Sequence, residues 1–294
     1  MNAVVSAPVI KGRLGIVAGR GNYPLLVARA ARKLAQDPYI FAIKDEADQD
    51  WSDYDTSRVG IGDLSAFIRI VRSEDIGTVV MAGGISHRPG IRDIRPTWTA
   101  LKSAPQALRA LMSGGDDGIL RAAVQMLERH GIHVLGAHEI APDLLGQCGP
   151  LGHRKPDRAD RADISAAMRA AIALGSLDVG QGAVAVGGRV IALEGLEGTD
   201  AMLSRVAGLR AEGRLRTPSR GVLVKLCKPG QELRADLPAV GPQTVRNAHA
   251  AGLSGIAIEA GRSLVLDRGE VIAEADKLGL FVTGLDLSDM GPPP

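Results

Sequence analysis

The chain has 294 residues and a formal net charge of +2, from 35 basic and 33 acidic side chains, with 45% hydrophobic residues. This length allows one large or two ordinary domains with a full apolar core, and the balanced charge argues against nucleic acid as a partner. Aromatic residues make up only 3% of the chain, which also argues against single-stranded nucleic acid because such binding needs aromatic stacking platforms.

Cys148 and Cys227 are far apart in the sequence and form no CxxC motif. We therefore expect two reduced thiols rather than a disulfide framework or a structural zinc site. No apolar run approaches the ~18 residues of a membrane span, and the first residues lack the pattern of a signal peptide. These features predict a cytoplasmic protein, with a flexible leader at residues 1–12 and a flexible tail at 287–294.

Strand and helix patterns alternate through residues 13–145. Such alternation is typical of parallel sheets, and it predicts an N-terminal α/β domain with an open, doubly wound parallel sheet. Proline fits the first turn of a helix and aspartate can cap one, which places two of the helix starts. The predicted strands are 14–19, 39–43 and 78–81, and the predicted helices begin at Pro24, after Asp63 and at Gly118.

Turn residues and charge are concentrated at residues 146–159, which we interpret as a Gly/Pro linker. The following residues, 160–286, predict a C-terminal α/β catalytic domain with a mixed sheet. Its clearest local signal is Gly187-Gly188 between two apolar runs, which predicts a β-hairpin. The predicted strands are 182–186, 189–193, 221–226, 255–259, 263–266 and 280–283, and the predicted helices begin at Asp160, Thr199 or Asp200, Pro242 and Glu270.

Two glycine loops follow predicted strands of the N-terminal domain. Gly19-Arg20-Gly21 also precedes a helix, where backbone N–H groups could hold an anion, and Gly83-Gly84 ends the third strand. Ligands bind at the carboxyl ends of strands in open α/β sheets, so we favour substrate binding by both loops. The first loop has two alternatives. It could form only a tight turn, or it could be a dinucleotide site, although it lacks the full GxGxxG pattern. His87, just beyond the second loop, could serve acid–base chemistry, and a solvent-facing loop histidine is its more common alternative.

Adjacent carboxylates and a glutamine add polar candidates. Asp116 and Asp117 lie in a glycine-rich loop and could bind a divalent cation, or Asp117 could simply cap the next helix. Gln181, which precedes the predicted hairpin, could hydrogen-bond a sugar or a base, and plain turn chemistry is its alternative.

The segment Glu197-Gly198-Thr199-Asp200 lies between a strand and a helix. Thr199 could cap that helix and present its free N–H groups to a phosphate oxygen. Capping alone would also explain the threonine. The neighbouring carboxylates, which include Glu197 and Asp200, favour a metal-phosphate site.

Two cations and a carboxylate lie at the end of the strand predicted at 221–226 and just after it. Lys225 and Lys228 suit a bound diphosphate, and Gln231 lies in the same turn. Asp236 is the best candidate for a metal ligand or for a carboxylate that orients water. A metal-bound water has a lowered pKa and can attack phosphorus at neutral pH.

These segments, in this order, resemble the LpxI-type UDP-2,3-diacylglucosamine pyrophosphatases of lipid A biosynthesis. The resemblance covers residues 13–285; Arg20 interrupts a run that is glycine in that family, and Glu232 stands where many members have aspartate. The matching segments are Gly19–Pro24, Gly115–Asp117 with Leu120 and Arg121, Asp178–Gln181, Glu194 with Glu197–Met202, and Lys225–Gly241.

The resemblance implies Mg²⁺-dependent hydrolysis, with Mn²⁺ as an alternative ion, of UDP-2,3-diacylglucosamine to UMP and 2,3-diacylglucosamine 1-phosphate (lipid X). It also implies attack at the β-phosphorus and a lipid bound between two α/β domains. Asp236 matches the essential aspartate of the family. The resulting site prediction has Asp236, Lys225 and Lys228 as catalytic residues. It has Asp236, Glu197, Asp200 and Asp116 as metal ligands, and Gly19, Arg20, Gly21, Gly83, Gly84, Gln181, Gly198, Thr199 and Gln231 as substrate-binding residues.

A substrate with two acyl chains lies in a bilayer, so we expect contact with the inner face of the inner membrane without insertion. Two other functions stay open from sequence. One is a non-catalytic carrier or sensor for a nucleotide-sugar or lipid, and the other is an NAD-dependent enzyme that uses the Gly19 loop. The oligomeric state also stays open, with a homo-oligomer among the options.

Overall fold

The structure is a computed structural model that describes residues 8–86, 116–215 and 220–287. Contacts divide the chain into two compact units. Unit 1 comprises Met1–Asp143 together with Glu232–Asp236, and unit 2 comprises Leu144–Gln231 and Leu237–Pro294. The predicted C-terminal domain contains Glu232–Asp236, whereas the structure groups this short segment with unit 1.

Unit 1 is built on a parallel sheet whose strand order, within the described residues, is β3-β2-β1-β4-β5. The order runs outward in both directions from β1, which makes the ends of β1 and β4 the switch point where doubly wound sheets bind ligands. The predicted open parallel sheet is therefore confirmed. The strands are β1 (Arg13–Ala18), β2 (Tyr39–Ile43), β3 (Thr56–Val59), β4 (Ile76–Ala82) and β5 (His133–Leu135), and the helices are α1 (Tyr23–Lys33), α2 (Leu64–Ser73), α3 (Asp116–Arg129) and α4 (Ala137–Ile140).

The helices of unit 1 begin where the sequence provides start signals. Pro24 lies in the first turn of α1, and the Asp63 side chain accepts a hydrogen bond from the Ala66 N–H at 3.0 Å at the start of α2. Every residue of β2 is buried, as expected for an inner strand covered on both faces. Because the strands pair in parallel, the loops after their carboxyl ends lie along the same edge of the sheet.

Unit 2 contains a mixed sheet of order β6-β13-β11-β9-β7-β8, in which β9, β11 and β13 are parallel and the other strands pair antiparallel. The predicted mixed sheet is confirmed. A separate parallel pair joins β10 to β12. The strands are β6 (Gly149–Pro150), β7 (Gly182–Val186), β8 (Arg189–Leu193), β9 (Val222–Lys225), β10 (Ala239–Val240), β11 (Gly255–Glu259), β12 (Leu264–Val265) and β13 (Phe281–Leu285), and the helices are α5 (Arg158–Ser176), α6 (Gly198–Ala211), α7 (Pro242–Ala250) and α8 (Arg268–Leu278).

The hairpin between β7 and β8 has the turn that its sequence predicts. Gly187 has φ of 60° and Gly188 has φ of 76°. Two positive φ values in a row are the signature of a type I′ turn, which is why two glycines are suited to it. The carboxylate of Asp163 on α5 accepts the Gly188 N–H at 2.5 Å and fastens the turn to the helix.

Candidate active site

The two predicted glycine loops of unit 1 lie side by side at the switch point of its sheet. The Arg20 N–H donates to the Gly84 carbonyl at 2.8 Å, and the Gly84 N–H donates back to the Arg20 carbonyl at 3.0 Å. A Cβ on Gly19 would come within 2.4 Å of the Gly84 carbonyl oxygen. Glycine is therefore required at position 19 so that the two backbones can approach each other.

The backbone N–H groups of the first loop do not form an anion cradle. The Gly19 N–H donates to the Ala82 carbonyl at 2.9 Å, and the Gly21 N–H donates to Asp48 Oδ1 at 2.9 Å. With the Arg20 N–H bound to Gly84, each of these donors already has an acceptor. The interpretation of this loop as an amide cradle for an anion is therefore wrong, and substrate binding by these residues stays a prediction.

A paired substitution tests the close approach of the two loops. Gly19→Ala is expected to lower the free energy of unfolding by about 1–3 kcal/mol, because the new methyl group meets a backbone carbonyl that cannot move aside. Gly84→Ala is the matched control, since a Cβ there has nothing within 4 Å. Urea denaturation measures both variants, and equal stability of the two would contradict the described packing.

The segment Glu232–Asp236 is attached to unit 1 through several side chains. The Glu232 N–H donates to Asp117 Oδ1 at 2.7 Å, and Arg234 forms an ion pair with Glu128 at 2.6 Å. Ala235 packs against the apolar cluster that contains Phe41 and Val79. Asp117 lies in the first turn of α3, where its carboxylate holds this segment. These contacts place Asp236 in the same unit as the glycine loops.

Tyr23, the first residue of α1, is a polar group near Asp236 that the sequence did not single out. Burial raises the pKa of the Tyr23 phenol well above its ordinary value, and the negative charge of Asp236 raises that pKa further. The phenol therefore stays protonated throughout the neutral range and can donate a hydrogen bond. In the sequence, Tyr23 lies two positions after Gly21, at the predicted switch point of the sheet, and this position could have indicated it as a site residue.

Glu232 is held as a carboxylate by its neighbour. Hydrogen bonds from the Arg234 side chain lower the pKa of Glu232, and burial opposes this shift without cancelling it. The ion pair joins Arg234 Nε to Glu232 Oε1 at 2.8 Å. Glu232 therefore serves to fix the segment that carries Asp236.

In unit 2, polar residues gather at one edge of the mixed sheet. Gly182 pairs with Lys225 on the neighbouring strand β9, and the Glu194 N–H donates to the Gly182 carbonyl at 2.9 Å on the other side. A Cβ on Gly182 would lie 2.6 Å from Glu194 Oε2. Residues that face each other across antiparallel strands present their side chains to one face of the sheet. The Glu194 carboxylate and the Lys225 side chain therefore flank the bare Gly182.

Glu194 binds the hydroxyl of Thr199. Thr199 Oγ1 donates to Glu194 Oε1 at 2.6 Å, while Glu194 Oε2 is buried and has no hydrogen-bond donor within the described residues. Helix α6 begins at Gly198 with Glu197 at its N-cap, and no side chain caps it. The predicted capping by Thr199 or Asp200 is therefore wrong: the Thr199 hydroxyl donates its hydrogen bond to the buried Glu194 carboxylate, and the Asp200 carboxylate accepts one from Asn247.

Other polar side chains at this edge are held by hydrogen bonds and an ion pair. Lys228 Nζ forms an ion pair with Asp178 at 2.6 Å, and Lys225 Nζ donates to the Ala239 carbonyl at 3.1 Å. Gln231 Oε1 accepts the Lys228 N–H at 2.9 Å and the Cys227 thiol at 3.1 Å. The Gln231 side-chain oxygen thus holds the turn, and its predicted role in substrate binding stays a prediction. The side-chain oxygen of Gln181 is buried without a hydrogen-bond partner in this part of the structure.

The predicted metal ligands are distributed over both units. Glu197 forms an ion pair with Arg205 at 2.8 Å, and Asp200 accepts a hydrogen bond from Asn247 at 2.8 Å. The side chain of Asp116 and all of His87 lie outside the described residues. In the ranges that the structure describes, no group of three or more His, Cys, Asp or Glu side chains could hold a metal ion. Mg²⁺ commonly binds through one or two carboxylates, retained waters and substrate phosphates. A single carboxylate such as that of Asp236 is therefore enough for this ion, and no preformed protein cage is needed.

Coupling between Glu194 and Thr199 can be measured by a double-mutant cycle. Glu194→Gln and Thr199→Val are each expected to lower the turnover of UDP-2,3-diacylglucosamine, the substrate that the family resemblance implies, about tenfold. The double variant is expected to lose little more turnover than either single variant. The physical reason is that Thr199→Val removes the donor and Glu194→Gln removes the charge of the acceptor, so that both substitutions act on the same charge-assisted hydrogen bond. Glu212→Gln, at the exposed far end of α6, is the control that leaves turnover unchanged. Strict additivity of the two losses would contradict the coupling.

Comparison with known proteins assigns the family. Residues 13–144 match the family model described as the LpxI N-terminal domain, and residues 147–283 match the LpxI C-terminal domain. The chain is 41% identical over 275 residues to a protein of Caulobacter vibrioides named UDP-2,3-diacylglucosamine pyrophosphatase LpxI. That alignment covers 93% of this chain and 98% of the relative. The chain therefore belongs to the LpxI family.

Proposed function

We propose that this protein hydrolyses the pyrophosphate bond of UDP-2,3-diacylglucosamine, giving UMP and 2,3-diacylglucosamine 1-phosphate in lipid A biosynthesis. The observation that carries this proposal is 41% identity across nearly the full length of both chains to a relative named for that activity. Full-length similarity matters here because both domains of the family are present in order.

The polar edge of unit 2 supports phosphate chemistry. Lys225 is buried at the end of β9, and Lys228, three positions along the chain, is held by an ion pair with Asp178. In our proposal the two cations neutralise the diphosphate, whose charge increases on the phosphoryl oxygens during transfer. Glu194 acts as a positioning residue, because it fixes the hydroxyl of Thr199 and places a negative charge on the same face as Lys225.

Asp236 is the proposed essential carboxylate, either as a ligand of Mg²⁺ or as the group that orients the attacking water. Bound Mg²⁺ would supply charge stabilisation at the phosphoryl oxygens and would lower the pKa of a coordinated water. The protonated Tyr23 phenol is the nearby donor that can hold an oxygen atom in place. The segment that carries Asp236 is fixed by Glu232 and Arg234, which limits how far the carboxylate can move.

The proposed substrate also implies a location. Two acyl chains anchor it in a bilayer, so the protein is proposed to work at the cytoplasmic surface of the inner membrane. No described helix has the length and apolar character needed to cross a membrane.

The test is hydrolysis of UDP-2,3-diacylglucosamine in detergent micelles, with and without Mg²⁺ or Mn²⁺, in ¹⁸O-labelled water. Lipid X and UMP formed only with the metal are the expected products, and mass spectrometry of the label identifies the attacked phosphorus. The family resemblance favours the β-phosphorus, which would place the label on lipid X. A substrate that binds but stays intact with every divalent ion would replace this function with that of a carrier.

A further inference from the structure

Unit 2 exposes a group of large apolar side chains beside its polar edge. Leu196 is 88% exposed and Leu177 is 73% exposed, while Val179 and Leu193 are 53% and 42% exposed. Within the described part of unit 2, every exposed large apolar residue belongs to this group, which we call the leucine patch. Single exposed leucines are ordinary, but several gathered in one place indicate an interaction surface.

The two loops that carry the leucine patch are neighbours. Gly180 lies so close to Glu194 that an added Cβ would come within 2.2 Å of its carbonyl oxygen. Leu193 ends β8 directly before Glu194, Leu196 follows two positions after Glu194, and Val179 adjoins Gly180. Leu177 ends the helix that leads into the same loop. The four exposed apolar residues therefore lie on two chain segments that adjoin each other.

The two partly exposed carboxylates of these loops, Asp178 and Glu197, each form an ion pair. Asp178 pairs with Lys228 at 2.6 Å, and Glu197 pairs with Arg205 at 2.8 Å. Arg205 also donates to the Leu193 carbonyl at 2.9 Å, which holds a cation next to the leucines. A surface with exposed leucines whose partly exposed carboxylates are paired carries little net charge, which suits the boundary between the headgroups and the acyl chains of a bilayer. In a loop that faces only water, these exposed leucines would not contribute to stability.

We propose that the leucine patch is the surface by which this protein contacts a lipid bilayer. The inference rests on the proposed function, since a substrate with two acyl chains must be drawn from a bilayer. The side chains at the loop tips enter the boundary between headgroups and acyl chains, and no helix crosses. The neighbouring Lys228, Glu194 and Thr199 then lie at the level where a diphosphate emerges from the lipid.

Sedimentation with vesicles of phosphatidylethanolamine and phosphatidylglycerol tests the proposal. The variant Leu177→Ser with Leu196→Ser is expected to reduce the vesicle-bound fraction about tenfold or more, because burial of each leucine in lipid contributes roughly a factor of ten. Leu34→Ser with Ile61→Ser is the matched control, since these side chains are exposed in unit 1 at 43% and 41%. The control is expected to bind vesicles like the parent protein.

Hydrolysis measured in two presentations separates this inference from the proposed function. The leucine variant is expected to retain turnover of micellar substrate and to lose turnover of substrate in vesicles. Failure of the parent protein to hydrolyse either form would refute the proposed function alone, because vesicle binding is measured independently. Unchanged vesicle binding by the leucine variant would overturn the inference. If the same variant instead converts a dimer to a monomer, the patch belongs to a second copy of the chain and the inference is also overturned.

Discussion

Asp236→Asn is expected to abolish hydrolysis of UDP-2,3-diacylglucosamine, with a loss on the order of 10³-fold or more in turnover. The substitution keeps the size of the side chain and removes its charge. Without that charge the residue can neither hold Mg²⁺ firmly nor orient a water for attack on phosphorus. The measurement is the rate of UMP formation at saturating substrate across a titration of Mg²⁺.

The fold is expected to survive this substitution because other residues attach the segment to unit 1. The Glu232 N–H bond to Asp117, the Arg234 ion pair with Glu128 and the packing of Ala235 all stay in place. Urea denaturation is expected to give the same free energy of unfolding for the variant and the parent protein.

Asp37→Asn is the matched control for Asp236→Asn. It makes the same chemical change in unit 1 at a side chain that is 73% exposed and pairs with Arg13 at 3.4 Å. Exposed ion pairs contribute little to stability, so both turnover and folding are expected to match the parent protein. Normal turnover by Asp236→Asn would remove the central catalytic assignment.

The sequence predicted the elements whose signals are local. The Gly187-Gly188 turn, the Asp63 cap and the alternation of strand and helix each depend on residues within a few positions of one another. The two sheets could be classified because alternating strands and helices in unit 1 indicate parallel strands, and the hairpin in unit 2 breaks that alternation. Strand β3, whose residues are largely exposed, carries little apolar signal and was not predicted.

Contacts between distant parts of the chain account for what the sequence did not predict. Asp117 and Glu232 are 115 positions apart, so no local pattern indicates that Glu232–Asp236 belongs with unit 1. The role of Thr199 depended on Glu194, a carboxylate whose burial only the packed sheet edge reveals. For the Gly19 loop, the sequence suggested backbone N–H groups that could hold an anion, whereas in the structure Arg20 and Gly84, 64 positions apart, exchange backbone hydrogen bonds.

Lys225→Met is expected to lower kcat/KM by about 10²–10³-fold, the usual cost of removing one group that stabilises charge in a transition state. Lys225 is only 6% exposed, so its charge acts with little screening by water. Methionine retains most of the apolar stem, and the measured effect therefore reports mainly on the charge. Steady-state kinetics with micellar substrate measure the loss.

Stability and activity are separated by a second measurement on the same variant. Loss of the Lys225 hydrogen bond to the Ala239 carbonyl is expected to cost about 1–3 kcal/mol of unfolding free energy, which leaves the protein folded at 25 °C. Lys33→Met, in the last turn of α1, is the control for an exposed lysine and is expected to change neither quantity. The charge at Lys225 is therefore predicted to act on the diphosphate, and a Lys225→Met variant with parental kcat/KM but reduced stability would restrict this lysine to a structural role.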